Sequence, residues 1–208
     1  MYVDSLAPVP GSLVIAADGG LYHAKHLGLV PDECLGDFDS AVRAEAPPDS
    51  LVYPTKKDYT DMHLAVMRGI ERGCKVFEIY GALGGERVDH SIANLQMLAH
   101  FAQKGYTLRL HGKKQIITAA SAMDAPVSVS FEADSCGYLS LFATGGRVEG
   151  LTLTGLKYTL NNACISDTFP LCVSNEFIGL SAQVSFKSGT LLLVFSEDVR
   201  YRVEGEAV

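Results

Sequence analysis

The sequence predicts an α/β chain, in which a mainly parallel sheet with flanking helices is followed by a smaller all-β sandwich or jelly-roll domain. Three observations lead there. The first half alternates apolar, strand-like runs with helical segments that close on glycine. After about residue 120 the chain turns into short β-rich runs divided by Gly, Ser, Asn and Asp, with no helical period. The length of 208 residues and a hydrophobic fraction of 48% are ample for one large core or two modest ones.

The elements follow in order. SLVIAADGG is an apolar run ending in glycines, and LYHAKHLGL after it is a short helix closed by Gly28. TDMHLAVMRGIERG is a stronger helix: Thr60 or Asp61 caps it, Leu64, Met67 and Ile70 form its apolar stripe, and Gly73 ends it. KVFEIY reads as a buried strand running into the glycine-rich GALGG. Asp89 and Ser91 open a third helix, which turns Ile92, Leu95, Leu98, Ala99 and Ala102 to a core and stops at Gly105. TLRLHG resumes as strand, so the βαβ rhythm implies parallel pairing, with ligands at the carboxyl ends of the strands. ITAASAMDAP is small and polar enough to be a linker, dividing a domain of residues 1–120 from one of 121–208. VSVSF, GYLSLFA, GLTLTGL, SAQVSF and TLLLVF are the strands expected in the second domain.

Composition excludes several classes. A net charge of −7, with no basic cluster larger than a pair such as Lys113 and Lys114, argues against a nucleic-acid surface, so an anionic substrate needs local cations or a metal. No apolar run approaches the roughly 18 residues of a membrane span, and MYVDSLAPVPG lacks the pattern of a signal peptide, so a cytoplasmic location is expected. The five cysteines form no CxxC pair and are expected to be mostly buried apolar residues.

Acidic residues collect at the expected strand ends and helix starts: Asp18, Asp37 and Asp39 of GDFDS, Asp58, Asp61 and Asp89. Each has a plain alternative as a turn residue or helix cap. If the strand order brings the loops to one edge, several carboxylates converge, and Mg²⁺ is the cation that carboxylate oxygens and retained waters suit best. GALGGERVDH supplies a matching anion holder: Gly81, Gly84 and Gly85 lie between strand and helix, where backbone N–H groups can receive phosphate oxygens, and Arg87 adds a forked contact. The loop is neither a Walker A sequence nor GxGxxG, and a tight strand-to-helix turn explains it as well. His90 and Asn94 lie one helical turn apart and could both reach a nucleotide, although His90 equally suits a capping role.

Taken together, AADGG, LVPDECLGDFDS, YPTKKDYTDMHLAV, GALGGERVDHSIANL, GLKY and VSNEF resemble the thiamine pyrophosphokinase family over nearly the whole chain and in the right order. The resemblance implies a homodimeric enzyme, with active sites completed across the interface, that uses Mg²⁺ and ATP to convert thiamine to thiamine diphosphate with release of AMP. It implies Asp37, Asp39 and Asp61 as metal ligands, with Asp18 and Asp58 nearby. It sets Gly84, Gly85, Arg87, Asp89, His90 and Asn94 on the nucleotide side, and Tyr158, Ser174 and Asn175 at thiamine. Asp37, Asp39, Asp61 and Arg87 would be the catalytic group. Cys172 departs from the glycine that commonly precedes the SN pair; were a positive φ needed there, cysteine would strain the turn.

Two other readings remain. DFDS also resembles the DxD of haloacid dehalogenase-type phosphatases, which would make Asp37 a covalent nucleophile, although Gly36 interrupts the strand and KDYTD and VSNEF go unexplained. A nucleotide- or thiamine-sensing module would bind the same ligands without turnover.

Overall fold

In the computed structural model the described residues are 6–36, 50–52 and 58–204. The chain is a mixed α/β protein with two compact units, Met1–Phe77 and Glu78–Val208.

The first unit holds β1 (Ile15–Ala17), α1 (Gly20–His26), β2 (Glu33–Gly36), β3 (Leu51–Val52) and α2 (Asp61–Glu71). Its strands form a parallel sheet in the order β1-β2-β3, with Ala17 opposite Leu35 and Leu35 opposite Leu51. Ala16, Leu21 and Cys34 make a small core beneath it. The α2 stripe differs from expectation: Val66 and Gly69 are the buried residues, and Met67 is exposed. The reason is a close approach, because a Cβ on Gly69 would come within 2.4 Å of the Phe77 ring. Only glycine lets the helix settle that near.

The division between the units falls inside β4 (Val76–Tyr80). After it come α3 (Val88–Ala102), β5 (Thr107–His111), β6 (Gln115–Ser121), β7 (Val127–Phe131), β8 (Tyr138–Ala143) and β9 (Arg147–Thr154). The chain continues through β10 (Leu160–Ser166), β11 (Cys172–Glu176), β12 (Ala182–Phe186), β13 (Thr190–Ser196) and β14 (Tyr201–Val203). These strands make a five-stranded sheet, β10-β9-β12-β7-β14, and a six-stranded one, β11-β8-β13-β6-β5-β4. One continuous core draws on both: Val129, Phe131, Leu151, Leu153 and Phe186 from the first, and Leu139, Leu141, Leu191, Leu193 and Phe195 from the second. Each of these residues is at most 3% exposed, and each contributes roughly 1.5–3 kcal/mol by burial.

Several expectations are corrected here. TLRLHG does not extend a parallel sheet: β5 runs antiparallel to β6, because the connection through Gly112–Lys114 is too short for a crossover and closes as a hairpin, with the Gly112 N–H on the Gln115 carbonyl at 2.8 Å. The first half of the stretch expected as a linker, residues 117–121, is instead the end of β6, paired with β5 on one side and β13 on the other. Both faces of the strand are covered: Ala120 joins the core between the two sheets, and Ala119 points to the opposite face, with α3 packed against the strand. KVFEIY is a strand but a poorly buried one, with only Ile79 inside, since β4 ends the sheet. On α3 the buried residues are Asn94, Met97, Leu98, Ala99 and Phe101, and Ile92 is 54% exposed. Of the five cysteines, Cys34 and Cys172 are buried, Cys74 is half-buried, and Cys136 and Cys164 are exposed.

Candidate functional site

In the first unit the parallel register determines where the acidic side chains stand. Asp18 follows β1 in a left-handed conformation, φ 45°, its N–H donating to the Leu35 carbonyl at 2.8 Å and its carbonyl accepting from Leu21 at 3.2 Å. Gly36 closes β2 beside it; a Cβ on Gly36 would lie 3.1 Å from the Asp18 Cα, so the two strand ends touch. Asp18 therefore sits next to the point from which Asp37 departs. Asp37 and Asp39 themselves lie outside the described residues. Asp58 and Asp61 flank the cap of α2: Thr60 is the N-cap, its Oγ1 accepting from the His63 N–H at 3.2 Å, and Tyr59 stacks on the His63 ring at 4.7 Å. Asp61 occupies the first turn, where a carboxylate suits the helix dipole.

The other end of α2 is fastened to β2. Arg68 grips the largely buried Glu33 with a fork, 2.5 Å and 3.2 Å, and Arg72 adds a contact at 3.0 Å. The Arg68 hydrogen bond, against the opposing effect of burial, holds the Glu33 carboxyl below its ordinary value. Among the described residues no three His, Cys, Asp or Glu side chains are grouped to hold a metal ion.

In the second unit the glycine loop is tied down by α3. Gly84 and Gly85 take successive left-handed conformations, φ 80° and 79°. The Gly84 N–H donates to Ser91 Oγ at 3.0 Å, so that donor is already engaged by the protein. Asn94, 7% exposed, donates from Nδ2 to the Ala82 carbonyl at 2.7 Å. The structure thus turns Asn94 inward, onto the loop, while His90 one turn earlier is exposed. Arg87 and Asp89 form a forked ion pair, with contacts of 2.9 Å, 3.3 Å and 2.6 Å, and stand in solvent. The Arg87 hydrogen bond is the main reason the Asp89 carboxyl falls to about 2.

The third group lies where β11 meets the turn before β10. Asn175 is 5% exposed; its Oδ1 accepts from the N–H groups of Tyr158 and Glu176, both at 2.9 Å, and its Nδ2 donates to the Tyr158 carbonyl at 2.7 Å. The Tyr158 ring is 59% exposed. Ser174 is exposed, in a left-handed conformation at φ 58°, its N–H donating to Ser140 Oγ at 3.0 Å where the β11–β8 register slips. The strain foreseen at Cys172 therefore falls two residues later: Cys172 is a buried strand residue opposite Leu141, outside the positive-φ region, and burial raises its thiol.

Ser91 and Ser140 were not singled out from the sequence as loop anchors. Ser91 carried a faint signal, lying seven residues beyond the glycine it holds. Ser140 carried none, being 34 residues from Ser174.

Comparison with known proteins fits this layout. The family model "Thiamin pyrophosphokinase, catalytic domain" matches residues 10–110, and "Thiamin pyrophosphokinase, vitamin B1 binding domain" matches residues 126–191. The chain is 34% identical over 194 residues to thiamine pyrophosphokinase of Bacillus subtilis (strain 168), covering 90% of this chain and 88% of that one. Among solved structures, thiamine pyrophosphokinase from Bacillus subtilis superposes with a TM-score of 0.79 at 32% identity, covering 92% of this chain and 90% of that one. The thiamin pyrophosphokinase from Geobacillus thermodenitrificans does so with a TM-score of 0.73 at 33% identity, covering 88% and 86%. On these grounds the chain belongs to the thiamine pyrophosphokinase family.

Proposed function

We propose that the chain transfers the pyrophosphoryl group of ATP to the hydroxyl of thiamine, giving thiamine diphosphate and AMP. The observation that carries this reading is the order of the two family matches, a catalytic one followed by a vitamin B1-binding one, along a single chain. The same order supports a nucleotide- and metal-binding α/β domain followed by a β-sandwich domain for thiamine and dimerisation; the expected division into residues 1–120 and 121–208 falls inside β6, between the two matches.

Within this reading Arg87, freed from Asp89, would take a phosphate oxygen; Gly84, Gly85, Asp89, His90 and Asn94 would shape the nucleotide side. The thiamine hydroxyl would attack the β-phosphorus, so catalysis is positioning and charge neutralisation. Asp37, Asp39 and Asp61 would hold Mg²⁺, with Asp18 and Asp58 beside them. The hard oxygen donors suit that ion, and Asp18 lies against Gly36, the residue before Asp37. When bound, the metal supplies positive charge to the phosphates. Tyr158 would stack on the cationic thiamine ring, and Ser174 would meet its pyrimidine edge. A cytoplasmic location belongs to the proposal, because ATP is an intracellular substrate. So does a homodimer: Phe169, Leu171, Val173, Ile178 and Leu180 are exposed apolar residues along β11 and its flanks, at the end of the six-stranded sheet.

Incubation of the purified protein with thiamine and MgATP tests the reading. Equal amounts of AMP and thiamine diphosphate are expected. Release of inorganic phosphate with a phosphoaspartate at Asp37 would favour the phosphatase, and binding without turnover a sensor. Asp39→Asn is expected to lower turnover by at least about 100-fold with the fold intact, because it removes one of the carboxylates that would hold Mg²⁺ against the phosphates; near-normal AMP production by that variant would remove Asp39 from the site.

A further inference from the structure

We infer that Asn175 acts on thiamine through Tyr158, as the residue that fixes the backbone carrying the aromatic ring, and not by touching the pyrimidine itself. This rests on the reading above of Tyr158 as the thiamine platform.

The geometry of the amide carries the inference. Both lone pairs of Oδ1 are used, one by the Tyr158 N–H and one by the Glu176 N–H, and Nδ2 donates to the Tyr158 carbonyl. A single residue thus holds both backbone polar groups of Tyr158. It does so from a position 5% exposed, where an amide is costly unless satisfied. The neighbouring contacts reinforce it: Leu156 bridges Phe177, the Lys157 N–H donates to the Glu176 carbonyl at 3.0 Å, and Lys157 Nζ meets the Glu176 carboxylate at 2.5 Å. Ser174, one residue before Asn175, is exposed. The SN pair therefore divides its work: serine faces outward and asparagine faces the frame. A platform whose backbone is set before the ligand arrives loses less entropy on binding.

The test is a double-mutant cycle on steady-state constants, with wild type, Asn175→Asp, Tyr158→Ala and the double variant. Aspartate keeps the acceptor but loses the donor to the Tyr158 carbonyl. Asn175→Asp is expected to raise the thiamine KM about tenfold, the size of one lost charge-free hydrogen bond and some misplacement, with kcat and the ATP KM within about twofold. Tyr158→Ala is expected to do the same, and the double variant to resemble Tyr158→Ala alone. A double variant near 100-fold, the product of the single effects, would mean that Asn175 contacts thiamine independently and would overturn the inference, as would an unchanged thiamine KM in Asn175→Asp. Thermal unfolding checks folding; should Asn175→Asp not fold, Asn175→Ser enters the same cycle with the same two outcomes. A wild-type protein that makes no thiamine diphosphate would overturn the functional reading and this inference together. Turnover with a multiplicative cycle overturns this inference alone.

Discussion

The glycine loop ahead of α3 and the turn joined to β11 are built on the same device and put to different uses. In each a buried asparagine, Asn94 or Asn175, donates to a loop carbonyl, Ala82 or Tyr158, and a serine hydroxyl receives a further backbone N–H, that of Gly84 in the loop or of Ser174 in β11. At the glycine loop the ionic pair stands outside the frame, where Arg87 and Asp89 neutralise one another in water. At the turn the ionic pair, Lys157 with Glu176, is part of the frame, and what stands outside is a ring. An exposed ion pair is weak because water screens both charges, so Arg87 can exchange Asp89 for a phosphate at little cost. At Tyr158 the backbone beneath the ring is preset, and Lys157 Nζ lies 5.5 Å from the ring centroid. One face is an adaptable charge and the other a fixed surface.

The largest expected effect is on the frame of the glycine loop. Asn94→Ala leaves the buried Ala82 carbonyl without its donor and should cost about 1–3 kcal/mol. Thermal unfolding should then fall by roughly 2–4 °C per kcal/mol. A variant as stable as wild type would show that the loop does not depend on its asparagine and would break the parallel with Asn175. Ser174→Gly is smaller and opposite in sign. It relieves a left-handed serine, so stability should rise by less than about 1 kcal/mol while the thiamine KM rises through loss of the hydroxyl. A fall in stability would mean that the serine side chain supports the turn itself.

The smallest effect is a flat pH response. The Asp89 carboxyl is depressed to about 2, so the ion pair is fully present above the ordinary carboxylate value and is lost only as pH falls through about 2. Between pH 4 and 7 the ATP KM should show no limb from Asp89, and Asp89→Asn should leave the shape of that profile unchanged. A limb near pH 4 that disappears in Asp89→Asn would mean the pair is broken in the free protein.

Much of this was legible in the residues, with the failures in two places. The alternation of strand and helix, the Thr60 cap and the glycine ending α1 follow from local chemistry and stand as read. Local chemistry does not determine which strand pairs with which: TLRLH has the same apolar pattern whether it joins a parallel sheet or turns back on β6, and the short Gly112–Lys114 connection decided it. ITAASAMDAP suits a linker by its small and polar residues, but small residues also suit a strand covered on both faces, and its first half is the end of β6. At the candidate site the residue types were legible and the directions were not. Asn94 and Asn175 stand in motifs that suggest ligand contact, and the structure shows their amides satisfying loop backbone; an asparagine that does so and one that meets a ligand look alike in sequence. Asp37 and Asp39 lie outside the described residues.

The division of labour between the two faces is tested most directly by measuring the ATP KM and the thiamine KM side by side in Arg87→Ala and Tyr158→Ala. Arg87→Ala is expected to raise the ATP KM by about tenfold or more and leave the thiamine KM within about twofold, and Tyr158→Ala to do the reverse. Both variants raising the same constant, or each raising both equally, would contradict the assignment of the charged loop to the nucleotide and the ring to thiamine.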